Sequence, residues 1–390
     1  MAVLTRSLGD ISLAEEAVQD AFTVAITYWQ QHGIPAAPAG WIITTARNKA
    51  LDKLRREASR DARHQAALSL VEQAPVEQAI EEHDVRDEQL RLIFTCCHPA
   101  IAPEWQVALT LRLLGGLSTA EIARAFIVPE ATMAQRLTRV KAKIRDAGIP
   151  YRIPESDELP SRLNTVLAVL YLIFNEGYTA SSGAALIRNE LCGEAIRLGR
   201  LLAELLPQES EVLGLLALML LINSRRDART DATGGFVNLS EQDRSLWNRD
   251  EIAEGQHLLR ICLARNQAGV YQLQAAINAV HSDAATAEET DWPQILQLYN
   301  HLSAIAPNPI VALNRAVAIA EIDGADTALK LIDAIELPRY HLYHAVRADL
   351  LRRQRRNAEA ALAYQSAIEL CENVKEREYL ETKYKALVKN

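Results

Sequence analysis

At 390 residues the chain has room for two or three domains, each with its own core, which argues against a one-piece fold. Apolar residues at 49%, charged residues at 24%, 16 Gly and 14 Pro describe ordinary globular protein and exclude collagen-like, disordered or membrane composition. The net charge of −8 speaks against nucleic acid on average, but 1–150 carries 17 basic against 18 acidic residues, so nearly all of the excess lies in 151–390. Aromatics are only 5% while Ala and Leu abound, a bias toward helix formers, and an all-α protein is expected.

In chain order, Ser12 with Glu15 three residues on reads as a capping box. Leu13, Ala17, Val18, Ala21, Phe22, Ala25 and Trp29 then keep helical spacing. Residues 32–40 hold Gly33, Pro35, Pro38 and Gly40 and read as a loop, after which a helix runs from Trp41 to about Arg60. Seven basic residues face three acidic ones over 41–63, whereas 64–90 has one Arg and seven acids, so 61–85 reads as a polar, acidic connector. A helix over 88–97 with Leu90, Ile93, Phe94 and Cys97 inward breaks at His98-Pro99, and another starts near Pro103 and ends at Gly115-Gly116. Ser118 with Glu121 caps a short helix over 119–126, and the Val128-Pro129 turn leads into a basic helix from Glu130 to about Asp146. Two helices joined by a tight turn in so short a stretch make a helix-turn-helix.

Pro150, Pro154 and Pro160 mark a second linker, and everything readable beyond it is helical: 162–176, 190–206 and 209–224, then a polar gap over 225–249, then paired helices. Ala316, Ile319, Ala328, Ile332 and Ile335 align with Ala348, Leu351, Ala360, Tyr364 and Ala367 at a constant shift. Small residues at fixed places with a large one between them follow the tetratricopeptide pattern. The longest apolar run, 212–222, is too short to span a bilayer. Residues 1–10 carry no secretory signal, and five Cys at unpaired spacings fit a reducing, cytoplasmic compartment.

Two constellations carry chemistry. On the helix after Trp41, the residues Arg47, Lys49, Asp52, Lys53, Arg55 and Arg56 can track phosphates while Trp41 offers a face for an unpaired base; a solvated basic helix with a core Trp reads equally well from the residues alone. On the helix after Pro129, a recognition helix would set Glu130, Thr132, Met133, Gln135, Arg136 and Arg139 against base edges and leave Arg124, Lys141 and Lys143 for phosphates. An ordinary helical hairpin would not explain why only the second helix is basic.

The two elements in this order, with the acidic connector between them, resemble an extracytoplasmic-function sigma factor of bacterial RNA polymerase. Ala14-Glu-Glu-Ala-Val-Gln-Asp-Ala-Phe22 is similar to the region 2 helix that docks on the polymerase, Trp41 to Arg56 to the helix that engages the −10 element, and Leu117 to Lys143 to region 4, which reads the −35 element. The wording Arg91-Leu-Ile-Phe-Thr-Cys-Cys-His-Pro99, Ala120-Glu-Ile-Ala-Arg-Ala-Phe126 and Asn175-Glu-Gly-Tyr178 resembles the subgroup with a C-terminal tetratricopeptide-like extension. That family normally has another helix before the Leu8-Gly-Asp10 turn, of which Met1 to Ser7 is the remnant here.

The resemblance implies polymerase contacts by Glu15, Glu16, Gln19, Asp20 and Phe22. It implies −10 contacts by Trp41, Thr44, Arg47, Asn48, Lys49, Asp52, Arg55 and Arg56. For the −35 element it implies the same set as the recognition-helix reading, Arg124 through Lys143. The domains expected are 1–62 (region 2), 63–87 (acidic linker), 88–149 (region 4), 150–160 (linker) and 161–390 (helical repeats, with a protein as their expected partner). A stand-alone helix-turn-helix regulator with a ligand- or protein-sensing repeat domain is the alternative, and a repeat scaffold with no DNA role the third reading. Adjacent Cys96 and Cys97 point about 100 degrees apart on a helix and are expected to be core residues rather than ligands. Asp227, Asp231, Asp243 and Asp250 lack a calcium-loop spacing. With no nucleophile elbow, phosphate loop or HExxH, neither catalysis nor a metal or cofactor is expected.

Overall fold

The computed structural model describes residues 1–57, 82–126, 128–178, 188–232 and 234–388. Among them are eighteen α-helices and no strand, in keeping with the all-α expectation. Most of the expected acidic connector lies outside the described residues. The chain divides into two compact units, Met1–Val169 and Leu170–Asn390.

The first unit opens with α1 (Ala2–Leu8), which ends at Gly9 in the left-handed region (φ 67°), its N–H returning to the Thr5 carbonyl. In α2 (Ile11–His32) the cap is Asp10, whose side chain accepts from the Ser12 and Leu13 N–H groups. The Ser12–Glu15 box is therefore corrected: the Asp10 carboxylate, two residues earlier, takes the orphan donors, and Glu15 is free for another task. The next helix, α3 (Pro38–Glu57), begins ahead of Trp41 because Pro suits a first helical turn. Ala14, Ala17, Ala21 and Ala25 of α2 meet Ile42, Ala46 and Ala50 of α3 in one core with Leu4 and Leu8. Small side chains on that seam let two helices approach closely.

Next come α4 (Glu82–Cys96) and α5 (Pro103–Leu113). The start of α4 precedes the expected Glu88, since polar helix formers extend a helix without contributing an apolar period. The Ser118–Glu121 capping box is present at the head of α6 (Thr119–Ala125), and α7 (Glu130–Asp146) follows Pro129, as expected for a helix-turn-helix. In α7 the buried residues are Met133, Leu137, Val140 and Ile144, a strict 4-3-4 spacing. Tyr151, expected in a linker, anchors it: the hydroxyl contacts the carbonyls of Ala2 (2.9 Å) and Glu88 (3.1 Å). The helix α8 (Leu159–Tyr178) takes up Pro160 in its first turn, where a missing N–H costs nothing.

The second unit continues through α9 (Asn189–Leu205), α10 (Ser210–Asn223), α11 (Arg249–Ala264), α12 (Val270–Asp283) and α13 (Trp292–Ile305). The α10 helix is apolar all round and almost wholly buried, which is why the run at 212–222 reads as long as it does. The polar gap at 225–249 is a built segment: three short 3-10 turns, a Thr230–Phe236 bridge, and three arginines folded inward. Arg244, 8% exposed, donates to the carbonyls of His281 (2.8 Å) and Ala284 (2.5 Å) and to Thr290 Oγ1 (3.3 Å), with Trp247 under its guanidinium. Arg225 donates to the Leu221 carbonyl and Asn278, and Arg229 lies over the Tyr178 ring while bonding its carbonyl.

The last pairs, α14 (Pro309–Asp323) with α15 (Ala325–Ile332) and α16 (His341–Arg353) with α17 (Asn357–Leu370), bear out the repeat. Ala316, Ala328, Ile332, Ala348, Leu351, Ala360, Tyr364 and Ala367 lie in a single core, with Ile335 against it. Closing the chain, α18 (Val374–Val388) adds Leu380 to that core.

Candidate nucleic-acid interface

The core stripe of α7 settles what its other face offers. Glu130, Gln135, Arg139 and Lys143 are exposed and Thr132 and Arg136 half-exposed, so Thr132, Gln135, Arg136, Arg139 and Lys143 form one polar, cationic stripe. Arg124 of α6 is also exposed. Met133, expected among the base readers, is corrected: at 2% exposure it packs beneath α7, because it continues the spacing of Leu137, Val140 and Ile144.

Lys141 has a partner already. Its ammonium meets Glu15 of α2, and the other Glu15 oxygen accepts from Arg112 Nε at 2.5 Å. All three groups are less than a fifth exposed. Burial works to raise the Glu15 pKa, but Lys141 and Arg112 outweigh it and hold the carboxyl below its ordinary value. Arg112 also donates to the Leu117 carbonyl at 3.0 Å, just ahead of the α6 cap. Glu15 and Lys141, assigned to polymerase and phosphate on the resemblance, thus come together in a clasp joining α2, α5 and α7. Sequence reasoning missed Arg112; the signal was one cation inside the otherwise apolar helix Val107-Ala-Leu-Thr-Leu-Arg-Leu113. A similar clasp holds Glu88, 2% exposed, between Arg6 (2.9 Å) and Arg91 (2.6 Å).

On α3 the buried residues are Ile42, Ala46, Ala50 and Leu54, while Thr44, Asn48, Lys49, Asp52, Arg55 and Arg56 are exposed and Arg47 half-exposed. Trp41 lies between the two readings given above. Its ring stacks on Tyr28 (5.5 Å between centroids) and tilts against Trp29 (5.4 Å), yet it keeps a partly open face. Lys53 pairs with Glu16 of α2. The outer face of α2 shows Gln19 and Asp20, with Phe22 53% and Ile26 65% exposed. Two large apolar side chains thus stand one turn apart in water on α2. Ile26 escaped the sequence reading because it follows Phe22 at i+4 on the side away from the alanine seam.

Cys96 and Cys97 are fully buried, Cys97 against the Thr110 hydroxyl, and burial pushes the Cys97 thiol up to about 12. His98 accepts from the Ala100 N–H. Among the described residues no helix is long and apolar enough to cross a membrane.

Three family models match the chain: Sigma-70 region 2 over residues 1–60, Sigma-70, region 4 over residues 91–144, and a family of unknown function, DUF6596, over residues 162–263. A Rhizobium meliloti (strain 1021) relative, Uncharacterized protein R00370, is 42% identical over 385 residues, which cover 97% of this chain and 91% of that protein.

Proposed function

Because the chain belongs to the sigma-70 family as an extracytoplasmic-function-type sigma factor, one family with the Rhizobium meliloti relative, we propose that α7 reads the −35 duplex and α3 engages the −10 strand. Promoter recognition in transcription initiation, with core RNA polymerase and promoter DNA as partners, is the role of such a chain. The observation that carries the finer reading is the two-faced α7: a core stripe of Met133, Leu137, Val140 and Ile144 backs a stripe of Thr132, Gln135, Arg136, Arg139 and Lys143. A helix so divided presents hydrogen-bonding side chains to a groove without disturbing its own fold.

In this reading Arg124 and Lys143 hold phosphates, and Lys141 reaches one only when Glu15 lets it go. On α3, Asn48, Lys49, Arg55 and Arg56 follow the backbone of the opened strand, and the open face of Trp41 stacks a base. Glu16, Gln19, Asp20, Phe22 and Ile26 form the polymerase-facing side of α2. The second unit, with its repeats, takes a protein partner and regulates the first.

The test uses holoenzyme on promoters that differ at single positions. Arg139→Ala or Arg136→Ala should weaken binding to one −35 sequence more than to others, by about 1–3 kcal/mol for a residue bidentate on guanine. Uniform loss across sequences would reassign the residue to phosphate, and wild-type binding by both variants would remove α7 from the duplex. Trp41→Ala should leave polymerase association intact and reduce permanganate reactivity of the −10 region; full reactivity would return Trp41 to the core alone.

A further inference from the structure

We propose that the second unit holds one zinc-type divalent ion between His341, Cys371 and Glu376. These residues are brought together by the last repeat and the closing helix: His341 opens α16, Cys371 directly follows α17, and Glu376 lies in the first turn of α18. One donor atom from each, imidazole nitrogen, thiol sulfur and carboxylate oxygen, lies within 4.8 Å of the other two. His341 Nε2 and Glu376 Oε2 are already 3.3 Å apart. With ligand bonds of about 2.0–2.3 Å, neighbouring donors of a tetrahedral ion stand roughly 3.3–3.8 Å apart. Ordinary side-chain adjustment closes what remains.

A second observation points to a missing ligand. His341 Nε2 is buried and has no hydrogen-bond partner among the described residues, since its approach to Glu376 lacks hydrogen-bond geometry. A ring nitrogen shut away from water and left unbonded is costly. The other two donors are held in place independently. Asn373 accepts from the Lys375 and Glu376 N–H groups (2.9 and 3.3 Å), fixing the turn that carries Glu376, and its carbonyl receives the Cys371 thiol at 3.5 Å. Arg377 reaches the Cys371 carbonyl at 3.5 Å.

The donor set selects the ion. One thiolate and one imidazole disfavour magnesium and calcium and suit zinc. A neutral imidazole, a thiolate and a carboxylate around a dication sum to zero charge, which suits a site whose cysteine is 2% exposed. The metal takes a cysteine as its thiolate, so binding breaks the S–H bond, forms the metal–sulfur bond, and releases that proton to solvent. His341 and Glu376 also line a cavity of about 380 Å³ that Asp349, Tyr379 and Lys383 share. Three protein ligands leave a tetrahedral ion one position for an exogenous donor.

The test uses the full-length chain, stripped with chelator and titrated with Zn²⁺ and with Co²⁺. One ion per chain should bind, with release of about one proton in calorimetry across buffers of different ionisation enthalpy. The cobalt form should show a thiolate-to-metal charge-transfer band. Cys371→Ser should abolish that band, and His341→Gln and Glu376→Gln should each weaken zinc binding by at least about tenfold in chelator competition. Cys262→Ser, at a buried thiol elsewhere in the unit, should change neither. His341 and Glu376 are partly open to the cavity, so their Gln variants keep the assay decisive should the Cys371 variant misfold. Failure to bind zinc, a cobalt spectrum without the thiolate band, or wild-type affinity in either Gln variant overturns the site.

Discussion

The most deeply buried charged groups of the two units, Glu88 in the first and Arg225, Arg229 and Arg244 in the second, are held by different chemistry, although the second unit also keeps an Arg188–Glu176 pair. In the first, single carboxylates are shared between cations from separate helices: Glu15 between Arg112 and Lys141, Glu88 between Arg6 and Arg91. In the second, cations are buried on carbonyls and rings, with Arg244 on two carbonyls and Trp247, and Arg229 on Tyr178. A shared carboxylate is a reversible link, undone by a proton or by a competing anion such as a phosphate. A guanidinium on backbone carbonyls stays charged at any biological pH and has no rival for its place. The first arrangement suits a unit that must release cations to DNA, the second a rigid scaffold.

The largest effect should come from removing a scaffold cation. Arg244→Ala leaves the carbonyls of His281 and Ala284 without their donor and should cost about 3 kcal/mol, seen as loss of hydrogen-exchange protection confined to 170–388. Arg244→Lys should rescue little, since an ammonium cannot reproduce the fork that serves both carbonyls and Thr290. Protection lost equally in both units would erase the distinction.

Acid should separate the units next. Burial beside Arg225 and Arg244 pushes His281 down to about 3, below the 6.5 of a free imidazole. A lowered folded-state value means stability that is complete above pH 6.5 and drains away as pH falls from there toward 3. For Glu15, also lowered, the contribution is complete above about 4.5 and is lost only as pH falls further. Thermal unfolding followed from pH 7 to 4 should therefore weaken the second unit first. His281→Gln should flatten that early slope, and a slope unchanged by it would exclude His281 as the cause.

The smallest effect concerns the clasp. Glu15→Ala strands Arg112 and Lys141 beside each other with little water and should cost about 1–2 kcal/mol in the first unit. It should also free Lys141 and raise duplex affinity of the holoenzyme while the −35 preference stays as it was. Unchanged affinity would mean that Lys141 plays no part on DNA.

Much of the fold was legible because helices announce themselves locally. The Ser118–Glu121 box and the Pro129 boundary depend on neighbours a few positions apart, and the repeat shows as the same kinds of residue recurring 32 positions on. Where the cap moved from Ser12 to Asp10, two local solutions competed: Asp10 accepts from the Ser12 and Leu13 N–H groups, while Glu15 pairs with Arg112 and Lys141. Met133 shows the same limit: a position at the head of a recognition helix has two faces, and only packing beneath α7 says which one a side chain takes.

By itself, then, the order of residues determined the helical class, the two sigma-type elements, the repeat and the cationic stripe of α7, since these rest on periodicity, capping or charge within one helix or, for the repeat, on a spacing that recurs along the chain. Tertiary structure alone decided that Glu15 joins Arg112 and Lys141 from helices some hundred positions away, that Trp41 leans on Tyr28 and Trp29, and that His341 meets Cys371 and Glu376. Those meetings depend on how whole helices dock, a choice set by the summed burial of their apolar faces and recorded in no local spacing.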